Sequence, residues 1–149
     1  RGKQLLRRRG SFVIEIATDY LCGIVNRSRC SGDIGVMEDG YFKILGRSSV
    51  DIIKSGGYKI SALEIEGRLL AHPNIAEVAV VGANDRTWGE AVAAAVVLRG
   101  RKDLELEELK VWCEDKLSGY KIPKKLVIMD NLPRNAMGKV IKTGLNKLF

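Results

Sequence analysis

Histidine is nearly absent: His72 is the single one in 149 residues, which excludes clusters of histidine ligands and, with that residue at a helix end, argues against a histidine-based triad. It stands immediately before Pro73, where a helix should end, and reads as a helix-terminal residue. Cysteine is scarce too. Cys22, Cys30 and Cys113 are odd in number and show no C-x-x-C spacing, which argues against a zinc knuckle or a closed disulfide framework and for a reducing compartment. Long apolar runs are missing. The most apolar early stretch, Ser11 to Val25, carries Glu15 and Asp19 and falls short of the ~20 apolar residues that a bilayer crossing needs, so no membrane span is expected. The G-x-x-x-x-G-K-[ST] spacing of a Walker-type triphosphate loop is also absent.

What is present suffices for one core: 46% of the residues are hydrophobic, and the length fits about one domain. The net charge of +7 resembles a nucleic-acid signal until it is located. Residues 1–30 hold Arg1, Lys3, Arg7, Arg8, Arg9, Arg27 and Arg29 against Glu15 and Asp19, a net of +5, so the remainder carries only +2. The body is nearly neutral and has no basic stripe interleaved with aromatics, so no nucleic-acid partner is expected. A chain that starts at arginine reads as a fragment or a processed product. The run Arg7-Arg8-Arg9 ahead of an apolar segment also imitates a targeting signal. Residues 1–31 are otherwise unassigned, with Phe12 to Ile16 reading as a strand.

From Gly32 onward the pattern is orderly. Ile34 to Met37 and Tyr41 to Leu45 read as strands around the turn signal Glu38-Asp39-Gly40. Val50 to Ile53 reads as another strand, closed by Ser55-Gly56-Gly57, after which Tyr58-Lys59-Ile60 leads into a helix. Ser61 and Glu64 form a capping-box pattern for that helix, and Ala62, Ile65 and Leu69 line its inward face. Glu77 to Gly82 and Ala91 to Leu98 have the length and composition of buried strands. Residues 105–118 read as a helix with Leu106, Leu109, Trp112, Cys113 and Leu117 inward, Lys124 to Met129 as a strand, and a final helix is expected after Lys139. The class is α+β: a small mixed sheet flanked by helices, preceded by a β-hairpin and a hinge.

Two segments carry candidate chemistry. Leu132-Pro133-Arg134-Asn135-Ala136-Met137-Gly138 is a turn signal that sets Lys139 on display, with Val140-Ile141 as apolar anchors. An ammonium so placed suits a phosphate or carboxylate oxygen. The segment alone equally describes a solvated lysine beside a turn, the more ordinary arrangement. The other segment runs from Gly46 to Ile60. Its double glycine, Gly56-Gly57, lets a narrow ligand or another backbone approach, with Arg47 and Lys54 supplying positive charge on either side. Taken alone it equally describes a tight strand-to-helix turn.

Together the motifs change the reading. Gly32-Asp33, Gly46-Arg47, Asp51 to Ile60, Leu63-Glu64-Ile65-Glu66 and Pro133 to Lys139 occur in the order and spacing of one superfamily. Residues 31–149 resemble the C-terminal end of adenylate-forming enzymes, which include acyl-CoA synthetases, luciferases and peptide-synthetase adenylation domains. The wording from Gly40-Tyr41-Phe42 through Tyr58-Lys59-Ile60-Ser61-Ala62-Leu63, with Leu132 to Gly138, is most similar to the malonyl-CoA synthetase group of coenzyme A ligases.

The resemblance implies residues 32–46 as a hairpin from the end of a large domain and 47–149 as a mobile C-terminal domain. It implies an ATP-dependent ligase that activates a carboxylic acid, malonate or methylmalonate, as an acyl-adenylate and passes it to coenzyme A. ATP with Mg²⁺ and coenzyme A are the implied cofactors, and a separate N-terminal adenylation domain, not in this sequence, is the implied partner. By resemblance Lys139 serves adenylation and Lys54 the second step; Asp33 holds the ribose, Arg47 lies near the nucleotide, and Gly56, Gly57 and Tyr58 accommodate the pantetheine arm. Ser49 and Val50 are the implied hinge, and no metal ligand is assigned. A mitochondrial address fits the group; otherwise a cytoplasmic one is expected. Two departures stand out: Ser48-Ser49-Val50 is one residue longer than the usual linker, and Cys30-Ser31 stand where the family usually shows an aromatic and a threonine or serine. A truncated, non-catalytic interaction or regulatory fragment is the alternative.

Overall fold

The computed structural model describes residues 7–8, 11–12, 33–38, 41–47, 49–100 and 103–149. They divide into two units, with the boundary between Ser49 and Val50. The first unit is a four-stranded antiparallel sheet in the order β1 (Arg7–Arg8), β2 (Ser11–Phe12), β3 (Asp33–Glu38) and β4 (Tyr41–Arg47). Glu38 pairs with Tyr41, the register of a two-residue hairpin loop, as Asp39-Gly40 predicts. The register steps from Ile34↔Gly46 to Gly35↔Ile44, leaving Leu45 as a bulge. Of the strand expected at Phe12 to Ile16, residues 13–16 lie outside the described residues.

The second unit is built on a long hairpin, β7 (Ile75–Asp85) and β8 (Gly89–Leu98). It lengthens the two buried strands expected from sequence. On its other edge β8 pairs antiparallel with β5 (Ile52–Ser55) at Gly89 and parallel with β9 (Lys125–Ile128) from Ala93 to Val96. β6 (Tyr58–Ser61) completes the mixed sheet against β5. The Gly56-Gly57 segment is therefore not a strand-to-helix turn: it closes a β-hairpin. Positive φ angles of 55° and 80° at the two glycines match the twist of two antiparallel strands, which ordinary residues reach only at a steric cost.

Alternation along β7 and β8 divides the core in two. Val80, Val92, Ala94 and Val96 face α1 (Ala62–Leu69) and α2 (Leu106–Glu114), where Ile65, Leu69, Leu109 and Cys113 are buried. Ala79, Val81, Ala83, Ala93 and Ala95 face the other way and are covered by Leu132, Leu145, Val140 and Phe149 of the C-terminal segment. Both helices thus share one face. The opposite face is closed by irregular chain and a single 3-10 turn, Leu145–Leu148, so the final helix expected after Lys139 does not form. Its first residues are taken by other bonds: Val140 bridges to Arg134, and the Ile141 amide donates to the Pro133 carbonyl at 2.7 Å.

The helix caps show how local rules yield to tertiary partners. Ser61 Oγ accepts from the Glu64 amide at 3.3 Å, but the Glu64 carboxylate, which should complete the box, takes Lys121 Nζ at 2.7 Å instead. α1 ends at Leu69 ahead of Pro73, as expected, and His72 lies buried beyond it, its ring edge-on to Trp112 at 4.8 Å. α2 ends at Glu114, short of the expected residue 118, because Lys116 and Leu117 both donate to the Cys113 carbonyl and tighten the chain into a turn.

Candidate functional site

The Lys139 turn is held mainly by two side chains of its own. Asn135 Oδ1 accepts from the Met137 amide at 3.0 Å and the Lys139 amide at 2.9 Å, and the Asn135 amide donates back to the Lys139 carbonyl. Arg134 Nη1 donates to the Gly138 carbonyl at 2.6 Å, while Nη2 pairs with Glu77 at 2.7 Å, fastening the turn to the start of β7. Lys139 is exposed. Its backbone is fixed while its long stem and ammonium face solvent, a suitable arrangement for meeting an anion that arrives from elsewhere.

The Gly56-Gly57 turn is built differently. Gly56 donates to the Trp88 carbonyl at 2.9 Å, and a Cβ at Gly56 would come within 2.7 Å of the Trp88 ring. Trp88 is positioned by Asp85, whose Oδ1 accepts from both the Thr87 and Trp88 amides. Those bonds, the Trp88 amide foremost, hold the Asp85 carboxyl below its usual range. Lys124 Nζ stands 4.1 Å over the Trp88 ring, and Tyr58 stacks on Tyr120 at 4.7 Å with the rings 18° apart. Trp88, Tyr58 and Tyr120 are all nearly half exposed. Sequence reading missed Trp88, Tyr120 and Lys124, because what joins them is the meeting of the β7–β8 turn, the segment before β9 and the glycine turn. An aromatic two residues after an Asp-x turn was the one available signal.

Lys54 is exposed on β5, and its amide donates to Glu90 Oε2 at 2.6 Å. That carboxylate lies over Gly82, where a Cβ would come within 2.7 Å of it. Gly82 therefore makes the room that lets Glu90 take the amide of a neighbouring strand. Asp33 and Arg47 are directly opposed in the β3–β4 register, and Arg47 is exposed. Ser49 and Val50, both exposed, occupy the turn that spans the unit boundary.

The structure thus groups Lys54, Gly56, Gly57 and Tyr58 on one hairpin and pairs Asp33 with Arg47, but sets Lys139 apart. The Lys139 turn is tied to β7 at Glu77, and the glycine turn to Trp88, just past Asp85 at the other end. About 26 Å of strand separates Glu77 from Asp85 at the usual rise per residue. Among the described residues no group of three or more His, Cys, Asp or Glu is placed to hold a metal ion, and no helix is long and apolar enough to cross a membrane.

Comparison with known proteins decides the family. The model of the AMP-binding enzyme C-terminal domain matches residues 64–139, about half of the chain. The chain belongs to the AMP-binding enzyme C-terminal domain family. Its similar relatives include the human protein named malonate–CoA ligase ACSF3, mitochondrial, at 51% identity over 119 residues, 80% of this chain and 21% of the relative. The malonate–CoA ligase of Arabidopsis thaliana is 52% identical over 128 residues, covering 78% of this chain and 21% of that protein. Among solved structures, the o-succinylbenzoate CoA synthetase MenE of Bacillus subtilis, in complex with its acyl-adenylate intermediate, superposes with a TM-score of 0.71 at 41% identity. That match covers 78% of this chain and 24% of the MenE chain. This AMP-binding C-terminal domain spans about a fifth of the length of its curated relatives.

Proposed function

We propose that the chain is the mobile C-terminal part of an AMP-forming acid–thiol ligase that makes an acyl-CoA from a small dicarboxylic acid, malonate being the substrate its relatives favour. The observation that carries this reading is the placement of the Lys139 turn and the glycine turn at opposite ends of one hairpin. Two anchors about 26 Å apart along a strand cannot serve one reacting centre in a single orientation, whereas rotation about Ser49 and Val50 would present them in turn.

In the first orientation a carboxylate oxygen of the acid attacks the α-phosphorus of ATP and pyrophosphate leaves. Negative charge builds on the phosphoryl oxygens, and the Lys139 ammonium is suited to neutralise it. In the second, the thiol of coenzyme A attacks the acyl carbon and AMP departs. The glycine turn offers little bulk where a narrow arm must pass, and Trp88, Tyr58, Tyr120 and Lys124 offer ring faces and a cation of the kind that suit a nucleotide with phosphates. In this reading Asp33 holds the ATP ribose and Arg47 lies near the nucleotide; their opposed positions in the β3–β4 register support treating them together. Among the described residues no cluster of acids is placed to hold a metal ion, so Mg²⁺ would enter bound to ATP. The adenine and acyl pockets belong to an N-terminal adenylation domain, and a mitochondrial compartment follows the animal relatives.

The test joins residues 33–149 to the N-terminal part of a malonate–CoA ligase relative and follows both half-reactions, with the unjoined chain alongside. Acyl-CoA formation by the joined protein alone supports the reading. A joined protein that folds and makes neither acyl-adenylate nor thioester would favour a non-catalytic interaction module.

A further inference from the structure

Lys142 is the most deeply committed charge in the C-terminal segment. Its Nζ lies 2.7 Å from Asp51 Oδ1 and 2.8 Å from Glu66 Oε1, with the three side chains only 11%, 15% and 13% exposed. Glu66 Oε1 also accepts from the Val80 amide at 2.7 Å. One ammonium therefore joins four parts of the fold: the C-terminal segment, the start of the unit at Asp51, helix α1 and strand β7. The Asp51 carbonyl, moreover, accepts from the Ala62 amide at 2.8 Å, so residue 51 is fixed through both its side chain and its backbone.

The position of this cluster along the chain gives it meaning. Lys142 follows Lys139 by three residues, and Asp51 directly follows Ser49 and Val50. We propose that Lys142 is a positioning residue for Lys139: it welds the exit of the Lys139 turn to the first fixed residue after the hinge. Rotation at 49–50 then carries Lys139 as the end of a rigid lever. The inference rests on the reading of Lys139 given above. A largely buried lysine between two carboxylates is a poor choice for stability alone, since well-packed apolar side chains hold a core as well or better. It is a good choice for register, because the charges are satisfied in one arrangement of the segment and left unpaired in others.

The same geometry separates the two half-reactions. The glycine turn is fastened through Trp88 and Glu90, whereas Lys142 is paired with Asp51 and Glu66, so loosening Lys142 displaces Lys139 and leaves the other turn in place. Misplacement by about 1 Å is enough to cost roughly 10²-fold in rate.

The test uses the joined enzyme described above, measuring pyrophosphate release and, separately, thioester formation from supplied acyl-adenylate. Lys142→Met should slow adenylation by roughly 10²-fold and leave thioester formation near its original rate, while Lys142→Arg restores most of the loss. Should Lys142→Met fail to fold, Asp51→Asn carries the same expectation with a smaller effect. It cuts the link to the hinge side and leaves Lys142 neutralised by Glu66. In the 149-residue chain, amide order parameters across Met137 to Lys142 should fall in Asp51→Asn. Equal damage to both half-reactions, or none to adenylation while Lys139→Ala still slows it, overturns the role of Lys142. If Lys139→Ala itself spares adenylation, the reading of Lys139 fails and the lever fails with it.

Discussion

The glycine turn and the Lys139 turn are held by opposite means. Trp88 walls Gly56, Tyr120 stacks on Tyr58, and Lys124 lies over the Trp88 ring, so the first turn gains its surface from two other parts of the chain. The second is closed from within, by Asn135 and Arg134 on its own backbone, and is tied to the rest of the unit by ion pairs at Glu77 and, at its exit, from Lys142 to Asp51 and Glu66. A turn walled by rings and cations presents an extended surface, suited to a flat, charged ligand. A self-closed turn presents a single group, suited to one charge delivered at one moment.

The largest break in that comparison is Lys139→Ala in the joined enzyme. Adenylate formation should fall by roughly 10²-fold or more, with thioester formation from supplied acyl-adenylate much less affected; equal losses would make Lys139 a folding residue. Next is Lys124→Met, expected to raise the KM for coenzyme A by about tenfold, the scale of one charge-assisted hydrogen bond, with adenylation unchanged. A smaller and sharper contrast separates the two glycines. Gly56→Ala and Gly57→Ala should each cost about 1–2 kcal/mol in backbone strain, read from urea midpoints. Only Gly56→Ala should shift Trp88 fluorescence, since nothing lies within 4 Å of a Cβ at Gly57.

The smallest effect lies away from both turns. Burial holds His72 below the ordinary histidine value, with Lys116 adding to this and Glu108 opposing it. The unfolded chain therefore binds the proton more readily than the folded one. The contribution of neutral His72 is full above about pH 6.5 and declines as pH falls toward the folded value. The urea midpoint should drop between pH 7.5 and pH 5.5, and His72→Gln should flatten that slope. An unchanged slope would assign the loss to other groups.

Strand and helix positions were legible wherever periodicity was strong. Ala62, Ile65 and Leu69 on one helical face, the buried β7–β8 pair and the two-residue hairpin before Tyr41 all followed from spacing and turn chemistry. The double glycine was misread as the entrance to a helix because β6 is only four residues long and runs directly into α1. The final helix failed because Val140 and Ile141 find partners at Arg134 and Pro133, a competition that propensity does not register. Candidate residues were legible as motifs. Trp88, Tyr120, Lys124, Glu90 and Lys142 were not, since each acquires its meaning from a neighbour far along the chain, as Lys142 does from Asp51.

The parallel pairing of β8 with β9 bears on the order in which the fold is completed. The β5–β6 and β7–β8 hairpins join near neighbours and can form early, whereas Ala93 must wait for Lys125 and for the intervening helix to be laid down. The segment that covers the alanine face comes later still, so on a ribosome the helix-covered face can assemble while that face is still bare. Lys139 reaches its place only at the end, and a partly made chain would present the glycine turn before it could present the lysine.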